Sequence, residues 1–411
     1  MPVSLSAVVA FSPLAAAVIV LLSPAMARWI AATSLAISLG AALTLAPGIG
    51  HAPMILFAAL ALATVLSLPR QDAAPAEIAR LLFTAAGALT VYAAANPWLM
   101  LAGYLAAMLP FLEIRRLLAS LLLAASCVAV AAAIWSGEIW LLILAIALAK
   151  GLFPLQSSIM AQFERSALGT AALFFNAHLG AFLLIRFAGP AEAAWLPVVG
   201  TAALVASVFT ALIAVVETRP RQILALVASS QAAFILAGLS SATPQGVQGA
   251  LMQWIVVGIA STGMLTVYRL IEVRYGRDIT GRDFLGLAER FPRLGVAFAV
   301  CALAMVGLPG TLGFLAEDLL VHGLLATHPY VGMLQPLAAA INAFTLLRLF
   351  STLFLGRRVS GLDLVPDAIP RERWPLAALV LLLVLGGFVP GYVASLGEPA
   401  TNAVTATAAR P

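Results

Sequence analysis

Apolar runs of about twenty residues, the length of a helix that crosses a bilayer, recur from one end of this chain to the other. Short joints carrying proline, glycine and arginine separate them. The pattern predicts spans at 4–24, 29–47, 53–69, 80–96, 98–112, 116–135, 138–160, 168–188, 194–216, 222–242, 247–270, 290–328, 332–355 and 375–396, about 14 transmembrane helices. The fold class predicted is an all-α polytopic membrane protein.

Two of these spans are predicted to be broken. The seventh meets Gly151 and Pro154 directly after Lys150, and both residue types end helices. The twelfth contains Gly307-Leu308-Pro309-Gly310, so Pro309 and Gly310 mark a second break. That element is too long for one straight crossing. The two breaks lie about half a chain apart and suggest two related bundles, an arrangement frequent among transporters. The organisation expected is N-terminal helices over 1–96, a first half over 97–216, a second half over 217–356, and a last transmembrane helix and tail over 357–411. The tail after Glu398, rich in small residues, is expected to fray.

Composition fixes the class. Hydrophobic residues make up 63% of the chain and charged residues 9%, with a mean hydropathy of +1.06. A soluble domain carries about 25% charged residues. The net charge of +5 is no nucleic-acid signal. With an outer N-terminus and fourteen crossings, 18 of the 21 arginines fall in or beside loops on one side, which the positive-inside rule makes cytoplasmic. Both termini are then expected on the periplasmic or outer side of a bacterial cell membrane. The first run lacks a basic stretch before it and is read as a helix, not a signal peptide. Cys127 and Cys301 lie in apolar runs and suggest neither a disulfide framework nor a metal site. No phosphate-binding loop, dinucleotide fingerprint or metal-ligand spacing is present, so no cofactor, metal or catalytic site is expected.

Candidate chemistry therefore lies with the polar groups inside the apolar runs. Lys150 is the one lysine in 411 residues. An amine held in low dielectric sheds its proton more readily, whereas an arginine practically never does. Lys150 is thus the one fixed cation suited to switching charge; the alternative is a lysine that snorkels to an interface. His178, in the middle of a span, titrates near physiological pH and is a relay candidate, with a packing role as the alternative. Glu317 and Asp318 follow the second break, and His322 lies one turn after Asp318 on the same face. Either they exchange protons or they form a helix-end pair at an interface. Arg348 cannot titrate and is expected to hold a buried carboxylate or carbonyls. Glu113 reads as part of an interfacial cluster with Arg115 and Arg116. Asn176, Gln253 and Ser261 are supporting polar positions that order water or join helices.

Three segments together resemble the antiporter-like membrane subunits of respiratory complex I, Mrp-type cation/proton antiporters and related membrane hydrogenases. They are Ala149-Lys150-Gly151-Leu152-Phe153-Pro154-Leu155-Gln156, Arg219-Pro220-Arg221-Gln222-Ile223-Leu224 through Ser230-Gln231, and Gly307-Leu308-Pro309-Gly310 through Glu317-Asp318. By that resemblance Lys150 falls on the central proton-carrying lysine. His178 falls on a relay position, and Glu317 on the terminal lysine or glutamate of the second half. Two departures accompany the match. Leu105 stands where the family has a glutamate after Gly103-Tyr104, with Glu113 eight residues on. Gln253, Val257 and Ser261 stand where the family has basic residues. The resemblance implies a proton-translocating subunit whose partners are other protein subunits: a redox module, or a soluble zinc protein that takes up inorganic carbon. Sodium antiport, and a non-conducting scaffold that kept the fold, are the alternatives.

Overall fold

The computed structural model describes residues 5–113, 117–165, 167–187, 196–277, 279–280, 284–357, 362 and 365–408. Arg115 and Arg116 lie outside the described residues. Every regular element described is a helix: α1 (Leu5–Leu22), α2 (Ala27–Thr44), α3 (His51–Ser67), α4 (Pro75–Ala93), α5 (Pro97–Met108), α6 (Leu117–Ser136), α7 (Ile139–Lys150), α8 (Ser157–Arg165), α9 (Leu168–Asn176), α10 (Leu179–Phe187), α11 (Leu196–Val216), α12 (Pro220–Ser240), α13 (Pro244–Tyr275), α14 (Pro292–Met305), α15 (Leu312–Thr327), α16 (Leu334–Phe354), α17 (Pro370–Phe388) and α18 (Pro390–Ala408). Among the described residues nine helices are long and apolar enough to span a membrane, counting α9 with α10, and the bent pair α17–α18 makes a tenth. The apolar helices α3, α5, α7 and α14 are shorter.

Local chemistry starts and stops these helices. Proline occupies the first turn of α4, α5, α12, α13, α14 and α17, where its missing N–H is no loss. Asn96 caps α5 by accepting from the Trp98 amide at 2.8 Å, and Thr243 caps α13 through the Gly246 amide at 3.1 Å. Gly151 ends α7 in the left-handed conformation, φ 57°.

Burial sorts the helices into a centre and a rim. α12 is buried but for Arg221, and most of α9–α10 and of α13 is buried, whereas only a third of α1 is. In lipid the outside is as apolar as the core, so helices associate by close packing and by interhelical hydrogen bonds. α13 and α15 meet on glycine: a Cβ at Gly249 would stand 2.7 Å from the Leu320 amide nitrogen, and one at Gly323 would collide with Gly246. At the arginine-rich end, ion pairs lock the helices together. Arg221 grips Glu272 at 2.6 and 2.8 Å, Arg269 grips Asp72 at 2.6 and 2.7 Å, and Arg274 pairs with Glu372.

Two features differ from the sequence reading. The run at 168–188 was expected as one continuous helix, but the chain leaves helix after Asn176 and re-enters at Leu179, with His178 at φ 45°. Side chains from α7 and α4, Lys150 and Tyr92, take carbonyls at this interruption. The last apolar run also ends earlier than 396. It bends by 92° at Val389, and the residues after Glu398, expected to fray, continue α18 to Ala408. Helix α18 is laid across α3, α10 and α13, where Gly397 comes against Leu251.

Candidate functional site

The interruption between α9 and α10 sits against the end of α7. Leaving helix at Asn176 frees backbone carbonyls that would otherwise bond the next turn, and at membrane depth such groups must be satisfied within the protein. Two side chains do so. The Lys150 amine donates to the Phe175 carbonyl, and the Tyr92 hydroxyl donates to the Ala177 carbonyl. The amine also lies 4.2 Å from the centre of the Phe175 ring, within cation–π range. Lys150 is 8% exposed, and none of the described ion pairs includes it. Its own carbonyl accepts from Ser229 of α12 at 3.2 Å. The same turn therefore unites Lys150 with His178. The His178 ring is wedged edge-on between Phe175, at 5.7 Å, and Trp254, at 5.4 Å, and its Nε2 is buried with no hydrogen-bond partner among the described residues.

Helix α13 supplies the other wall. Asn176 donates to the Thr262 hydroxyl at 2.9 Å and to the Gly258 carbonyl at 3.3 Å, and accepts from Ser261 at 2.9 Å. These contacts hold the end of α9 against α13. Gln253 donates to Gln231 of α12 at 2.6 Å, both side chains being fully buried. One residue earlier on α12, Ser230 donates to the Ser207 carbonyl at 2.8 Å and accepts from Asn342 of α16 at 2.9 Å. Three consecutive residues of α12, Ser229, Ser230 and Gln231, thus join the Lys150 site to α11, α13 and α16.

Glu317 lies apart from this set. Its carboxylate packs against Gly307, where a Cβ would stand 2.5 Å from Oε2, and its buried Oε1 has no hydrogen-bond partner among the described residues. It therefore occupies the turn between α14 and α15 much as Lys150 occupies the turn after α7. Pro154, Pro309 and Gly310 lie in those two turns. Asp318 and His322 are not brought to Glu317. They form an outward-facing pair, Nδ1 to Oδ1 3.6 Å, with side chains 49% and 63% exposed. Glu113 is tied to α6 through its backbone, with its amide accepted by Ser120 at 2.9 Å and its carbonyl taking the Ser120 hydroxyl at 2.8 Å. Arg348 resolves to carbonyl binding: it donates to Val215, Ala214 and Glu217 at 2.5, 3.2 and 3.0 Å, capping the end of α11. In the adjoining turn, burial works against ionising Glu217. The Arg219 and Thr218 amides and the Arg219 guanidinium outweigh it and hold the carboxyl below its usual range.

Several buried polar residues escape a reading that begins with titratable groups. Tyr92 and Trp254 pass as core aromatics, and Asn342 as a lone amide in an apolar run. The signal was present in Ser229-Ser230-Gln231, three polar residues in succession in the middle of a helix whose other polar residues, Arg221, Gln222 and Ser240, lie at its ends. Among the described residues no three His, Cys, Asp or Glu side chains converge as a metal site would require.

The chain is thus a polytopic helical protein in which a buried amine and a half-buried glutamate each lie against a turn between two helices. The family model described as NADH:quinone oxidoreductase/Mrp antiporter, transmembrane, matches residues 83–342, more than half the chain, and the chain belongs to that family. NADH-quinone oxidoreductase subunit M of Rhodobacter capsulatus is 29% identical over 197 residues, which cover 47% of this chain and 38% of that protein. The chain thus spans less than half the length of this curated relative. Among solved structures, a chain of the Mrp complex from Dietzia sp. DQ12-45-1b superimposes with a TM-score of 0.85 at 18% identity, covering 98% of both chains. A chain of respiratory complex I from Thermus thermophilus with bound NADH gives 0.84 at 22% identity, covering 99% of this chain and 100% of that one. These likenesses extend the shared fold beyond the matched family segment.

Proposed function

We propose that this chain is a proton-translocating subunit of a multi-subunit membrane complex. One observation carries the reading: the lone lysine is buried where two interrupted helices meet, bonded to a backbone carbonyl and unpaired with any carboxylate in the described ion pairs. Such an amine has a hydrogen-bond acceptor in either protonation state, and no counter-charge pins it as a cation. A proton enters from one side and loads Lys150. His178, with water, receives it, and the amide pair Gln231–Gln253 lines the way across the centre. Glu317 takes the terminal position, and Asp318 and His322 face outward from the same helix, apart from it.

The nine long helices, together with α3, α5, α7–α8, α14–α15 and α17, account for fourteen crossings, each interrupted pair counting as one. Both termini then lie on the outer side. Energy for movement comes from a partner subunit. The names of the curated relatives favour a redox module over an inorganic-carbon uptake protein.

A second reading, a scaffold that conducts nothing, is favoured by Leu105, which is 45% exposed where the family resemblance calls for a glutamate. Proton flux in proteoliposomes separates the two. Lys150→Ala and Lys150→Arg should both abolish flux seen in the wild type, since arginine keeps the charge but not the exchange. Equal flux in all three proteins, or none in the wild type, would establish the scaffold. Sodium counterflow measured in the same vesicles identifies antiport.

A further inference from the structure

We propose that an anionic phospholipid binds in the groove between α14 and α17, with its phosphate on Arg293 and Arg373 and an acyl chain along the apolar bed below. The groove is open on one side, holds about 360 Å³ and is lined by the two arginines, Val296, Ala297, Leu376 and Val380. Both helices begin at this end of the molecule, so both arginines stand in a first turn, at the same level.

The charges at this corner are sorted. Arg274 is paired with Glu372, Arg371 stands 3.9 Å from the same carboxylate, and Arg290 is spent on the Leu362 and Val365 carbonyls at 2.8 and 2.5 Å. Asp367 receives the Arg293 backbone amide at 2.9 Å, not its guanidinium. Among the described residues the Arg293 side chain has no ion pair, and the recorded partner of Arg373 is the Trp374 ring at 5.1 Å. Two guanidinium groups thus face the groove with no carboxylate assigned to them. Trp374, 66% exposed, sits beside them where an interfacial aromatic marks the headgroup level.

The groove has charge at one end only and an unbroken apolar floor beyond it, with Val296 62% exposed. That is the polarity of an amphiphile with one anionic head. An apolar transmembrane helix of a partner subunit would cover the bed but bring no anion to the two arginines above it. Guanidinium forks match phosphate oxygens, and basic pockets between membrane helices collect anionic headgroups.

Native mass spectrometry of the purified full chain in micelles doped with phosphatidylglycerol or phosphatidylcholine tests this. The wild type should retain phosphatidylglycerol preferentially. Arg293→Gln/Arg373→Gln should retain roughly tenfold less. Ala377→Trp, which fills the bed and leaves the arginines intact, should lose it as well, with thermal unfolding confirming that both variants are folded. Retention at the wild-type level by either variant overturns the proposal, as does equal retention of the two lipids. Cross-linking of a photoreactive residue at position 296 to a neighbouring subunit in the assembled complex also overturns it.

Discussion

The Lys150 amine and the Phe175 carbonyl are donor and acceptor across the gap between α7 and α9. The pair gives one side chain two jobs. It satisfies a carbonyl released where α9 ends, and it presents an exchangeable proton next to His178. A purely structural lysine needs only the first.

These jobs separate under substitution. Lys150→Met leaves the Phe175 carbonyl buried without a donor and should lower stability by about 1–3 kcal/mol. Lys150→Arg keeps a donor and should lose less. Thermal unfolding in detergent, set beside proton flux, tells the two apart: arginine is expected to preserve the fold and stop the transport. Stability lost equally in both variants would show that the geometry of an amine is indispensable to the turn.

The amide pair between α12 and α13 lends itself to a double-mutant cycle. Gln253→Leu strands a buried Gln231 amide and should cost about 1–3 kcal/mol. Gln231→Leu/Gln253→Leu removes both polar groups and should regain most of that stability. Flux should stay depressed in the double variant, because an apolar pair cannot support a hydrated path. Flux restored along with stability would remove these residues from the path.

Gly307 and Gly310 form an internal control. Both have positive φ, 72° and 90°, so alanine at either carries a backbone penalty of about 1 kcal/mol. Open space surrounds a Cβ at Gly310, whereas one at Gly307 would stand 2.9 Å from the Glu317 carboxyl carbon. Gly307→Ala should therefore reduce flux well beyond Gly310→Ala at comparable expression. Equal effects would mean that the position of the Glu317 carboxylate is irrelevant to transport.

Glu217 gives a pH signature outside the membrane. Its folded-state pKa lies below the unfolded value, so its stabilisation is fully present above the unfolded pKa and fades as pH falls through the folded one. The difference in melting temperature between wild type and Glu217→Gln should narrow as pH drops from about 6 to about 3. A constant difference over that window would contradict the assignment.

The sequence by itself determined the membrane class, the helical composition and the family, because hydropathy and helix punctuation are local properties. Gly151 ends α7 by its own backbone preference, and Lys150 is conspicuous as the one lysine. The interruption at His178 was not legible, because its cause is not local: Lys150 and Tyr92 come from other helices to take the carbonyls it releases. The same holds for Asn342, which reads as an isolated amide until Ser230 of α12 is placed 2.9 Å away. Asp318 and His322 share a helix face that their spacing already sets apart from Glu317, but only the packing of α15 against α13 turned that face outward. Tertiary structure decided these points because a hydrogen bond between two helices depends on both partners, and in a chain this apolar the few polar residues acquire a role only from what faces them.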